Sequence, residues 1–151
     1  MLHVVLFQPE IPHNTGAIGR LCLATGARLH LIRPLGFSLE DKYLRRSGLD
    51  YWERVDVHQW DSWDALRSSV TAGSTFYFIE CDGGTTYWKS KMTYEEVYLV
   101  FGPETRSIPS SIIDAERCLQ IPMREGGTRS LNLATAAAIV LYEAVRQRSM
   151  L

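Results

Sequence analysis

The run Val97-Tyr98-Leu99-Val100-Phe101-Gly102-Pro103-Glu104-Thr105-Arg106 decides how the chain is read. Its first five residues are aromatic, β-branched or aliphatic, which marks a strand, and the Gly-Pro pair ends that strand abruptly. Thr75-Phe76-Tyr77-Phe78-Ile79 upstream has the same character. Further outward, 3–7 (HVVLF), 28–32 (RLHLI), 55–58 and 118–121 (CLQI) read as shorter strands. Between them lie helical spacings. Residues 14–25 form a helix stopped by Gly26, and Ser38 with Asp41 resembles a capping box opening a short helix through Arg46. Asp61 or Ser62 caps a helix carrying Trp63, Leu66 and Val70. The longest helix, 131–147, places Leu133, Ala137, Val140, Leu141, Ala144 and Val145 on one stripe. Residues 80–96, broken by Gly83-Gly84, form the longest irregular stretch. Strands separated by helices predict an α/β domain with a mainly parallel sheet flanked by helices, one domain over residues 1–151.

Bulk properties agree. The chain has 151 residues, 46% hydrophobic and 22% charged, enough for one self-sufficient core. Cys22, Cys81 and Cys118 are widely spaced, and His3, His13, His30 and His58 make no ligand cluster, so no metal site is expected. No secretory leader and no membrane span are read, which predicts a cytoplasmic protein without a membrane partner. The formal net charge is −1, so a nucleic-acid partner would have to use local patches. Lys42, Arg45 and Arg46 form one such cluster, and Arg124 and Arg129 another.

In open parallel sheets, ligands bind beyond the carboxyl ends of the strands. Three of those ends are chemically unusual: Glu80-Cys81-Asp82-Gly83-Gly84, Gly102-Pro103-Glu104-Thr105-Arg106, and Pro122-Met123-Arg124 through Ser130-Leu131-Asn132. Glycine there permits close backbone approach to a ligand, and proline fixes the turn. Neither a GxGxxG fingerprint nor a P-loop occurs, which disfavours a dinucleotide oxidoreductase or a nucleotide triphosphatase. Arg20 falls on the first helix as either a solvated residue or a functional one, and Ser130 and Asn132 are both candidate caps of the last helix.

Asn14-Thr15-Gly16-Ala17-Ile18-Gly19-Arg20, Phe101-Gly102-Pro103-Glu104-Thr105-Arg106 and Ile121-Pro122-Met123 through Arg129-Ser130-Leu131-Asn132-Leu133 occur in order across nearly the whole chain. At these segments the sequence resembles the SPOUT superfamily of RNA methyltransferases. Leu29 to Phe37 and Arg45 to Tyr51 are similar to the minimal tRNA wobble-nucleotide (cytidine/uridine) 2′-O-methyltransferase family in particular. The resemblance implies a C-terminal deep trefoil knot, a homodimer, and S-adenosyl-L-methionine as methyl donor, released as S-adenosyl-L-homocysteine. By position it assigns cofactor binding to Ile79, Glu80, Gly102, Ile121, Ser130 and Leu131. It assigns the functional side chains to Asn14, Arg20, Glu104, Ser130 and Asn132. RNA contacts fall to Lys42, Arg45, Arg46, Arg124 and Arg129, with tRNA, not DNA, as the partner. Arginine is a poor proton acceptor, so Arg20 is read as orienting the ribose hydroxyl or its phosphate, although the resemblance also permits a base role. Rival readings are a 2′-O-methyltransferase acting on another tRNA or rRNA ribose, and a non-catalytic RNA-binding protein of the same fold.

Overall fold

A computed structural model describes residues 1–47, 49–79 and 83–149. The elements are β1 (Leu2–Phe7), α1 (Pro12–Thr25), β2 (Arg28–Ile32), α2 (Lys42–Ser47), β3 (Val57–Trp60), α3 (Trp63–Ser69), β4 (Thr75–Ile79), β5 (Thr85–Thr86), β6 (Val97–Phe101), β7 (Cys118–Gln120) and α4 (Leu133–Arg148). Among the described residues the strands form one sheet in the order β3-β2-β1-β6-β4-β7-β5, and every pairing is parallel. The α/β expectation therefore holds. β1 and β6 are buried along their whole length, as central parallel strands covered on both faces must be. One face packs Leu2, Val4, Leu6, Leu29, Leu31 and Leu99 against α1 and α4; the other packs Val5, Phe7, Phe78 and Val100 beneath α3. No helix among the described residues is long and apolar enough to cross a membrane.

Several boundaries differ from the sequence reading, each for a physical reason. α1 begins at Pro12, where proline lacks only an N–H that would be unpaired anyway. Asp41, not Ser38, caps the start of α2, its carboxylate accepting from the Tyr43 N–H at 2.7 Å, while Ser38 serves the preceding turn. Of the two candidate caps for α3, Ser62 is the one used, accepting from Ala65 N–H at 3.1 Å. The third strand is 57–60 rather than 55–58, because Val55 is drawn into the core at the end of a 3-10 turn, Leu49–Arg54. The stretch 80–96 holds the two-residue β5 and a 3-10 turn, Tyr87–Lys89. Burial pushes the Cys22 thiol up to about 12, so it is an inert core residue.

A polar chain crosses the sheet from the end of β3, through β2, to the start of β1. His3 and His30 are only 2% and 4% exposed, yet both ring nitrogens of each are paired. The Trp60 indole can only donate, so at 3.0 Å it makes His30 Nδ1 an acceptor. His30 Nε2 then carries the proton and donates to His3 Nδ1 at 2.9 Å, and His3 Nε2 donates to the Glu96 carboxylate at 2.6 Å. Every group is satisfied only with both imidazoles neutral and Glu96 ionised. An extra proton on either ring sets two N–H groups face to face. Burial pushes His30 down to about 3 and lowers His3 as well. An unfolded histidine titrates at about 6.5, so below that pH the unfolded chain takes up protons that the folded chain refuses. Stability should therefore be level above about pH 6.5 and fall as pH drops toward 3. His30 alone contributes a loss of about 2 kcal/mol at pH 5. Denaturant melts at pH 7 and pH 5 check this; equal midpoints would contradict it.

Candidate functional site

The carboxyl ends of β1, β4, β6 and β7 all open on one side of the sheet, where the strand order reverses between β1 and β6. The segments that follow them meet around a cavity of about 830 Å³. That volume suits a ligand of nucleoside size. Ile79, Ile108, Ile113, Ile121 and Leu131 give it apolar walls, and Gly102, Glu104, Thr105, Arg106, Ser130 and Asn132 bring polar atoms. Gly102 lets the 102–108 loop fold back tightly. A Cβ there would lie 3.0 Å from Ile108 Cγ1 and 3.3 Å from the Ile108 nitrogen.

A directed hydrogen-bond chain holds these segments together. Ile11, the residue before α1, offers no side-chain cap. The Glu104 carboxylate instead holds the entry to the helix, accepting from Glu10 N–H at 2.8 Å, Ile11 N–H at 3.0 Å and the Asn14 amide Nδ2 at 3.3 Å. An anion at that helix end is also favoured by the aligned peptide dipoles. At the other end, Asn132 caps α4, its Oδ1 accepting from Ala134 and Thr135 N–H. That fixes the Asn132 Nδ2 as donor, and it donates to Asn14 Oδ1 at 3.0 Å. One continuous chain thus runs from the start of α4, through Asn132 and Asn14, to Glu104 on the β6 loop and the start of α1.

A second clasp lies beside it. The Thr105 hydroxyl donates to Glu10 at 2.7 and 2.9 Å, and the Arg106 guanidinium reaches Gln8 Oε1 at 3.3 Å and Glu10 at 3.5 Å. The Thr105 hydrogen bond, with Arg106 beside it, holds the Glu10 carboxyl below its usual range. Gln8 has φ 48°, a left-handed conformation that side chains other than glycine rarely adopt.

Most of the residues expected from sequence converge here. Ile79, Gly102, Ile121, Ser130 and Leu131 line the cavity, as do Asn14, Glu104 and Asn132. Glu80 lies outside the described residues, as does the side chain of Arg45. Arg20 does not line the cavity; it is exposed on α1, its guanidinium carbon 5.3 Å from the centre of the Tyr51 ring. Lys42 and Arg46 are exposed on α2, and Arg124 and Arg129 on the loop before α4. The sequence reading missed Gln8 and Glu10 as partners of the β6 loop, and Ile108, Ile113, Cys118 and Met123 as walls. Arg106 stood in a quoted segment, but nothing local signalled Gln8, Glu10 or Ile113. A second cavity of about 360 Å³ lies away from these loops, between α3 and β4, lined by Trp63, Arg67, Ser74 and Ser111.

Residues 1–142 match the SpoU rRNA Methylase family. A tRNA (cytidine(34)-2′-O)-methyltransferase of Methylovorus glucosotrophus is 46% identical over 150 residues, covering 97% of this chain and 96% of that protein. A solved structure described as "Structural insights into the 2-OH methylation of C/U34 on tRNA" superposes with a TM-score of 0.93 at 44% identity, over 99% of this chain and 97% of that one. The SpoU methyltransferase AviRb of Streptomyces viridochromogenes, in complex with the cofactor AdoMet, superposes with a TM-score of 0.84 at 28% identity, over 99% of this chain and 58% of that one.

The hydrogen-bond chain makes a definite demand on Glu104. Glutamine keeps one acceptor oxygen and turns an NH2 toward the N–H groups that the second oxygen served. Glu104→Gln should cost about 1–3 kcal/mol. Thermal unfolding at neutral pH measures it; an unchanged melting temperature would show that the carboxylate does not hold the entry to α1.

Proposed function

The chain belongs to the SpoU rRNA methylase family, and on that premise we propose that it transfers a methyl group to the ribose 2′-hydroxyl of the wobble cytidine or uridine, nucleotide 34, of tRNA. The carrying observation is the cavity of about 830 Å³ whose polar rim is tied by the Asn132–Asn14–Glu104 chain. The relative and the solved structure matched over nearly their whole length support the same target, and the AdoMet-bound neighbour supports the donor. In this reading the isoleucine walls and the backbone of Gly102, Ile121, Ser130 and Leu131 hold S-adenosyl-L-methionine, and Glu80, assigned to the cofactor from sequence, joins them. Bound there, its sulfonium supplies an already activated methyl group, so the protein's main task is alignment.

Asn14, Glu104 and Asn132 act chiefly as positioning residues, because their polar atoms are spent on one another and on two helix starts. Ser130, at the cavity rim, faces the reacting region. Arg20 stands on the exposed side of α1, so its guanidinium meets RNA rather than cofactor, orienting the ribose oxygen and a neighbouring phosphate through its fork of donors. Lys42, Arg45, Arg46, Arg124 and Arg129 supply further phosphate contacts, giving an affinity that falls with salt. The reading includes a single SPOUT domain over residues 1–151 with a C-terminal trefoil knot, working in the cytoplasm as a homodimer. Partly exposed Leu21 and Leu23 on α1, with Ile139 and the 42% exposed Tyr142 on α4, offer the apolar surface for that dimer.

The test is mass mapping of tRNA from a strain lacking the gene, before and after incubation with enzyme and S-adenosyl-L-methionine. A 2′-O-methyl group should be missing at nucleotide 34 and restored by the enzyme. Methylation restored only in ribosomal RNA would move the activity to another ribose. Arg20→Lys and Arg20→Ala should each lower single-turnover transfer by about 10²-fold while cofactor affinity holds.

A further inference from the structure

Arg20 is exposed, but it is not loose. Its guanidinium carbon sits 5.3 Å from the centre of the Tyr51 ring, inside the range of about 6 Å for attraction between a cation and an aromatic face. Among the described residues no carboxylate forms an ion pair with it. Tyr51 belongs to the 3-10 turn Leu49–Arg54, and that turn is pressed onto α1 at one defined point. A Cβ added to Gly19 would lie 2.7 Å from Trp52 Cζ3 and 3.0 Å from Trp52 Cε3, so the indole rests directly on the helix backbone beside Arg20. The Val55 N–H closes the turn on the Trp52 carbonyl at 3.1 Å, and buried Val55 ties it to the core. Tyr51 itself stays 37% exposed, and no hydrogen bond of its hydroxyl is seen among the described residues. The turn thus fixes a ring face, not a polar group, over a long and otherwise unpartnered side chain.

We propose that Tyr51 is the positioning residue for Arg20. Its ring holds the guanidinium while leaving the in-plane N–H groups unspent for a ribose oxygen and a phosphate of the RNA. A carboxylate in the same place would hold Arg20 equally well but would occupy the fork. Trp52 on Gly19 sets the height of that ring above α1. This inference rests on the role of Arg20 given under the proposed function.

A mutant cycle read by single-turnover methyl transfer at saturating tRNA tests it. Tyr51→Phe keeps the ring face and should transfer at the wild-type rate. Tyr51→Leu should lose roughly tenfold or more, with S-adenosyl-L-methionine affinity and melting temperature unchanged. In an Arg20→Ala background the same Tyr51→Leu change should cost nothing further, because the residue it acts through is gone. Gly19→Ala, which must displace the indole, should slow transfer in the same direction. If Tyr51→Leu folds poorly, Tyr51→Gln makes the same comparison at a position that already meets solvent. A wild-type rate for the ring-less variant while Arg20→Ala is inactive overturns the inference alone, as does an equal loss in both backgrounds. A wild-type rate for Arg20→Ala removes the role of Arg20 and this inference with it.

Discussion

The carboxylate of Glu104 is the constraint on which the site depends. It stands on the loop after the central strand β6, yet the groups it satisfies belong to the start of α1, a helix whose own sequence supplies no cap. Asn14 extends the connection to Asn132 and thereby to the start of α4. Backbone N–H groups at two helix starts are costly to leave unpaired when partly buried. Their needs force three sequence-distant segments into one arrangement, and the cavity is the space that arrangement leaves. Asn14, Glu104 and Asn132, which look catalytic by type, spend their polar atoms holding the walls in place.

The same sheet carries a different polar device across β3, β2 and β1. Trp60, His30, His3 and Glu96 form a chain in which each donor has one acceptor and each imidazole is held neutral. Around it, His3 stacks on Tyr98 and Tyr98 on Phe76, with ring centres 4.0 and 4.5 Å apart. Its polar atoms are spent internally, so it contributes rigidity. The carboxyl edge keeps unspent polar atoms around an open volume.

What sequence could and could not reveal follows the range of the interactions. β1, β4 and β6 were legible because their side chains are aromatic or aliphatic wherever the sheet is covered on both faces. The last helix was legible from its stripe, and Asn132 as a cap from its residue type. The start of α1 was misplaced because Pro12 opens it, ahead of the apolar spacing that marks the helix in sequence. The third strand was misplaced by two residues because Val55 looks like a strand residue locally but is claimed by the core. β5 exists only through its pairing with β7, which leaves no local mark on Thr85-Thr86. At the site, the glycine and proline loops marked the segments that meet around the cavity. The partnership of Arg20 with Tyr51, and of Glu10 with Thr105 and Arg106, depends on contacts that no spacing rule encodes.

The central claim is that the methyl donor occupies the cavity framed by the Glu104 chain and not the smaller one beside α3. Titrating isotope-labelled protein with S-adenosyl-L-homocysteine and following backbone amide resonances tests this directly. The account predicts shifts at Gly102, Ile121 and Leu131, with Trp63, Ser74 and Ser111 unmoved. Shifts confined to Trp63, Ser74 and Ser111, with the Gly102 loop silent, would contradict it.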